Sequence, residues 1–222
     1  MNGFLFRIIG IALLLLPGLL RAGDSPPKAN VMVIFADDLG FSDLGCQGIQ
    51  TDLKTPNIDS LASGGVRMTS GYVTAPQCVP SRGGLISGRY QNRFGLEANG
   101  RSLDGFNQQF TLPERLKEAG YVTGMAGKWH LGPEQEIASH GFDKFFFKQS
   151  NAAGFWNMNL EGKDVRPVQY QGGGYHIDVC STFASSFIER FKDRPFFFYL
   201  AMRLRTYYDF YLDGKPAPPL KR

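Results

Sequence analysis

Three short runs constrain this chain more than any other feature: Val31-Met32-Val33-Ile34-Phe35-Ala36, Tyr121-Val122-Thr123-Gly124-Met125-Ala126 and Pro195-Phe196-Phe197-Phe198-Tyr199-Leu200-Ala201. The first and third are continuously apolar, the pattern of strands covered on both faces of a parallel sheet. The first two end abruptly in polar residues, Asp37-Asp38-Leu39-Gly40 and Gly127-Lys128-Trp129-His130-Leu131-Gly132. In an open α/β sheet, ligands bind beyond the carboxyl ends of the strands. The runs therefore predict an α/β fold with a mostly parallel, mixed central sheet flanked by helices, and a site at one sheet edge.

Helix signals fill the gaps. Thr55 can cap a helix with Pro56 in its first turn, Ile58, Leu61 and Ala62 on one face and Gly64-Gly65 at its end; Val66 to Thr69 then reads as a strand. Thr111-Leu112-Pro113-Glu114 has capping-box spacing and opens a helix through Lys117 that stops at Gly120. Ile177 to Phe191 reads as an amphipathic helix, Tyr90 to Gln109 as a Gly- and Asn-rich loop at the site entrance, and Gly172-Gly173-Gly174 as a turn that lacks the context of a phosphate cradle.

The chain has 222 residues, 43% of them hydrophobic, enough for a sizeable core, and a net charge of +4. Lys and Arg are scattered, which excludes a nucleic-acid footprint and leaves a mild preference for anionic ligands. Residues 1–22 have the layout of a signal peptide: Arg7, the apolar run Ile8 to Leu20, and a small-residue cleavage site at Ala22. Interrupted by Pro17-Gly18, that run makes no stable membrane span, so the chain is expected to be exported, periplasmic or secreted. Residues 23–29 form a linker. Cys46 and Cys180 are expected to be buried free thiols.

Chemistry concentrates at three places. Cys78 precedes Pro80, which suits a first helical turn, so the sulfur should sit at a helix N-terminus with Arg82 one turn on. An isolated Cys-x-Pro would be a buried, inert thiol. Asp37 and Asp38 can converge only where a strand ends; at an effective dielectric of about 20, carboxylates roughly 4 to 5 Å apart repel by about 4 kcal/mol, so the pair wants a cation. A bare Asp-Asp would otherwise be a solvated turn. Hard oxygen donors with no Cys or His cluster favour calcium or magnesium over zinc. Lys128 and His130, two apart, can share one side of an extended chain, although a lone Lys is usually surface and a His beside Trp is usually core. His140 and His176 read as structural or surface residues.

Two of these stretches resemble the signatures of the sulfatase family. Cys78-Val79-Pro80-Ser81-Arg82 is followed by Leu85-Ile86-Ser87-Gly88-Arg89, one residue longer than the usual Leu-Thr-Gly-Arg. Gly120-Tyr121-Val122-Thr123 through Gly127-Lys128-Trp129-His130-Leu131-Gly132 is similar to the second signature. Thr55-Pro56-Asn57-Ile58-Asp59-Ser60-Leu61-Ala62 is also common there, as scaffold. The resemblance implies an alkaline-phosphatase-like architecture and conversion of Cys78 to Cα-formylglycine by a maturation enzyme. It also implies a divalent ion, calcium before magnesium, held by Asp37, Asp38 and the Cys78-derived group. Arg82 and Lys128 would neutralise the sulfate of a sulfated carbohydrate or small sulfate ester, and His130 would act as base.

The resemblance runs from about residue 30 to 201, where family members run to about twice this length; the divergent segment 202–222 suggests a truncated chain. Two other functions compete with sulfate-ester hydrolysis: a phosphonate or phosphodiester hydrolase of the same superfamily, and a non-catalytic exported fragment with an anion pocket.

Overall fold

The computed structural model describes residues 27–49, 54–148, 155–157, 168–170, 176–203, 211–212 and 215–216. The signal-like segment, the Gly172 to Gly174 turn and most of the divergent tail lie outside them. The three runs form strands β1 (Val31–Asp37), β2 (Val122–Lys128) and β6 (Phe196–Arg203), joined by β3 (Lys144–Lys148), β4 (Phe155–Asn157) and β5 (Val168–Tyr170). The sheet order is β1-β6-β2-β3-β4-β5. β1, β6, β2 and β3 are mutually parallel, and β4 and β5 add antiparallel partners, so the sheet is mixed as expected.

β6 shows why its run has no polar alternation. Phe197, Tyr199 and Ala201 enter one core with Val79, Ile86, Phe106, Trp129 and Phe142; Phe196, Phe198 and Leu200 enter another with Cys180, Phe183 and Phe187. Helix α6 (His176–Phe191) covers the second face. The first face is covered by α2 (Cys78–Ser87), the short α3 (Asp104–Asn107), α4 (Leu112–Glu118) and α5 (Glu134–Ser139). Each buried Phe contributes roughly 1.5 to 3 kcal/mol. Gly127 fixes the spacing of the middle strands, since a Cβ there would come within 2.1 Å of the Ala201 carbonyl oxygen of β6.

The capping box forms: Thr111 accepts from the Glu114 N–H, and Glu114 Oε2 accepts from the Thr111 N–H at 2.8 Å. Several expectations fail. The helix after Thr55, α1 (Pro56–Gly64), exists, but Thr55 does not cap it. Its hydroxyl instead accepts from the Gly45 N–H (2.8 Å) and donates to Asp59 (3.0 Å). Ile58 and Leu61 of its supposed core face are exposed. Val66 to Thr69 is not a strand, for Val66 and Met68 stand in solvent with no neighbouring strand among the described residues. The Tyr90 to Gln109 loop contains a 3-10 turn, Gln91–Phe94, and α3, anchored by fully buried Phe106. Cys46 is only half-buried, whereas Cys180 is buried; both are free thiols. No helix among the described residues is long and apolar enough to cross a membrane.

Candidate active site

Cys78 is the first residue of α2, with Gln77 as the extended N-cap. The Gln77 side chain does not cap the helix. Asn99, from the following loop, takes that place: its Oδ1 accepts from the Val79 N–H at 3.0 Å, while Gln77 Oε1 accepts from the Asn99 N–H at 2.7 Å. The two side chains clamp the turn that carries the sulfur. Helix α2 ends at Gly88, whose φ of 64° supplies the left-handed C-cap.

One turn on, Arg82 is 1% exposed. Its Nη2 donates to Asp37 Oδ2 at 3.0 Å, and Nη1 donates to the Lys128 carbonyl at 2.6 Å and to the Tyr199 hydroxyl at 3.3 Å. The guanidinium also lies 5.0 Å from the centre of the Phe35 ring. Lys128, 2% exposed at the end of β2, donates from Nζ to the same Asp37 Oδ2 at 2.9 Å and to Cys78 Sγ at 3.2 Å. Strand β1, helix α2 and strand β2 thus bring Asp37, Cys78, Arg82 and Lys128 into one connected group.

The charges explain one another. Burial raises the pKa of Asp37, but the Lys128 hydrogen bond and the two cations outweigh it and hold the carboxyl below its ordinary 3.8. His130 is pushed from 6.5 down to about 4, first by burial and then by Lys128 and Arg82, with Asp37 opposing. It is therefore neutral at pH 7, and its buried Nδ1 makes no hydrogen bond among the described residues. Burial pushes Tyr199 up to about 12, so near neutral pH its hydroxyl is an uncharged acceptor for Arg82.

Backbone strain marks the same edge. Asp38 and His130 are non-glycine residues at φ 63° and 62°, just past the ends of β1 and β2. Turned by that conformation, Asp38 leaves the group around Asp37. Its side chain is 46% exposed, and its Oδ2 lies 3.8 Å from Nε of Arg203, the last residue of β6. The expected convergence of the two aspartates is thus realised for Asp37 alone. Calcium takes about 6 to 8 oxygens. Asp37 Oδ2 already accepts from two cations, and no three His, Cys, Asp or Glu side chains among the described residues converge to hold an ion. This donor set does not complete a calcium or magnesium shell.

Tyr199, Arg203 and Asn99 were not read from the sequence. Tyr199 carried a usable signal, a single hydroxyl in an apolar run, since buried Tyr seeks a partner. Arg203 and Asn99 carried none, since Asn99 lies in a loop and Arg203 is set beside Asp38 by the non-local pairing of β6 with β1. An open hollow lined by Gly45, Cys46, Asp59, Ala62, Ser63 and Arg67 includes none of the grouped residues.

The Sulfatase family model matches residues 29–203. Arylsulfatase A of Bos taurus is 46% identical over 136 residues, covering 56% of this chain and 25% of its own length. N-acetylgalactosamine-6-sulfatase of Canis lupus familiaris is 33% identical over 213 residues, covering 82% and 41%. The crystal structure of Ps i-CgsB superposes with a TM-score of 0.69 at 29% identity, covering 80% of this chain and 45% of that one. The structure of BT4656 in complex with its substrate D-glucosamine-2-N,6-O-disulfate gives a TM-score of 0.67 at 26% identity, covering 83% and 36%. The chain thus spans less than half the length of each of these proteins. With the family model matching most of its length and the sheet matching the solved relatives, the chain belongs to the sulfatase family.

Proposed function

We propose that this site serves the hydrolysis of sulfate esters, on sulfated carbohydrates or small sulfate esters, with Cys78 as the precursor of the nucleophile. The observation that carries this reading is Lys128 Nζ bridging Asp37 Oδ2 and Cys78 Sγ at the first residue of α2. The sulfur stands in for an oxygen nucleophile at a helix N-terminus, beside a lysine and an arginine, where developing negative charge is favoured. Oxidised to Cα-formylglycine by a maturation enzyme and hydrated, residue 78 would present one hydroxyl to attack sulfur and a second whose deprotonation expels sulfate.

The chain's other residues divide the remaining work. Arg82 and Lys128 neutralise the sulfate oxygens, and Asp37 holds both cations in place. His130, neutral above about pH 4, takes the proton from the second hydroxyl. Calcium, or second magnesium, is the ion the resemblance implies, with Asp37, Asp38 and the residue 78 group as its contacts. Because the described donors do not complete its shell, no step here is routed through it. Export to the periplasm or the exterior fits this reading, and the maturation enzyme is its expected partner.

Peptide mass spectrometry across Cys78 tests the proposal. Conversion to the aldehyde lightens the peptide by about 18 Da, and the matured protein should release sulfate from an aryl sulfate faster than it cleaves a phosphodiester. An unmodified thiol, in a host that matures other such motifs, overturns it in favour of a non-catalytic fragment. Faster phosphodiester cleavage overturns it in favour of a phosphodiesterase.

A further inference from the structure

We infer that Asn99 is a positioning residue for residue 78: from a loop 20 positions beyond Val79 it caps α2 and fixes the direction in which the side chain of residue 78 leaves the helix, toward Lys128. Its effect on catalysis rests on the reading above, in which residue 78 is the precursor of the nucleophile; its hold on the sulfur does not.

The first turn of α2 explains why a distant residue takes this place. Free N–H groups at a helix start need acceptors, and the usual source is a short N-cap side chain. Here the N-cap is Gln77, whose side chain does not cap. Pro80 has no N–H, and that of Ser81 already donates to the Gln77 carbonyl at 3.1 Å. Asn99 Oδ1 accepts from the Val79 N–H at 3.0 Å, while the Asn99 N–H donates to Gln77 Oε1 at 2.7 Å. Both chain neighbours of Cys78 are therefore bonded to one residue, and Cys78 Sγ is left 3.2 Å from Lys128 Nζ.

The loop is seated so as to keep that register. Leu96, fully buried, rests on α2 where Gly83 leaves room, since a Cβ on Gly83 would come within 2.7 Å of Leu96 Cδ2. Buried Gln91 donates from Nε2 to the Thr74 carbonyl at 3.0 Å, and its Oε1 would lie 3.2 Å from a Cβ on Gly84. The glycine pair of α2 thus receives the loop, and a few residues past Leu96 the chain reaches the helix start with Asn99. Gly100, at φ 79°, then turns it away in a conformation that favours glycine. A misplacement of about 1 Å can lower a rate about 100-fold, so holding both flanks of residue 78 bears directly on turnover.

Alkylation of the full 222-residue chain, with Cys78 left as a thiol, tests the placement without any measurement of catalysis. Iodoacetate and iodoacetamide both alkylate a thiolate and expel iodide, but only iodoacetate is charged. The ratio of their rates at Cys78, read by peptide mass spectrometry, therefore reports the positive charge beside the sulfur. Asn99→Ala should lower that ratio about threefold as the sulfur leaves Lys128, and Gln77→Ala should lower it less. Thr111→Ala, which removes the cap of α4, should lose at least as much stability in a thermal melt and leave the ratio unchanged. An unchanged ratio in Asn99→Ala, or an equal fall in Thr111→Ala, overturns the inference. Buried Cys180 should stay unlabelled in every folded variant, and if Asn99→Ala does not fold, Gln77→Ala decides alone. In the matured protein Asn99→Ala should lower kcat on an aryl sulfate about tenfold with KM unchanged; a rise in KM alone overturns the positioning role in favour of a substrate contact. A matured parent that releases no sulfate sinks the reading above and leaves the alkylation ratios readable, so the two proposals fail independently.

Discussion

Asp37 and Asp38 are chain neighbours of identical chemistry placed in opposite environments. Asp37 closes β1, its side chain is 16% exposed, and one oxygen serves two buried cations. Asp38 is rotated out by a left-handed backbone, is 46% exposed, and meets one guanidinium at 3.8 Å. A single residue step past a strand end thus separates a carboxylate that the core requires from one that solvent shares. An acidic pair in a sequence does not imply an acidic pair in space, because the backbone turn decides which member stays inside.

The largest effect that could break this contrast comes from neutralising each member. Asp37→Asn leaves Arg82 and Lys128 buried without their common counter-ion and should cost about 3 to 5 kcal/mol in urea denaturation, whereas Asp38→Asn should cost less than about 1 kcal/mol. Equal losses would refute the division. A pH scan of the melting temperature comes next. The folded state keeps His130 neutral down to about pH 4, while the unfolded chain protonates it near 6.5, so stability is lost as pH falls from about 6.5 to about 4. His140, also lowered by burial, adds to the same limb, and Asp37 adds further loss below 3.8. His130→Gln should flatten part of that limb; an unchanged profile would place the ring in solvent. The smallest effect is Tyr199→Phe, which removes one acceptor of Arg82 while Asp37 and the Lys128 carbonyl remain, and should cost about 1 kcal/mol in the same denaturation assay.

What could be read in advance was local. The runs at Val122 and Phe196 became strands buried on both faces, whereas the Val31 run pairs with β6 but leaves Met32 and Ile34 of its other face exposed, contrary to the pattern of its sequence; Thr111 capped its helix because donor and acceptor lie three residues apart. Cys78 at a helix start followed from proline geometry, while strand geometry placed Lys128 only at the same sheet edge and its role beside Cys78 came from the resemblance. What could not be read was settled by distant partners. Thr55 had a cap's position, but Gly45 and Asp59 took its hydroxyl. Val66 to Thr69 had strand composition, but a strand needs a neighbour to accept its hydrogen bonds, and none of the described strands lies there. Tyr199 meets Arg82 across 117 positions of chain, and Arg203 reaches Asp38 only because β6 pairs with β1.

β1 stands at the rim of the sheet, with Met32 and Ile34 39% and 55% exposed and no described strand beyond it. A row of backbone donors and acceptors flanked by grease invites a foreign strand to zip on. Ile34→Lys puts a charge on that exposed face, and less light scattering at equal protein concentration is the expected outcome.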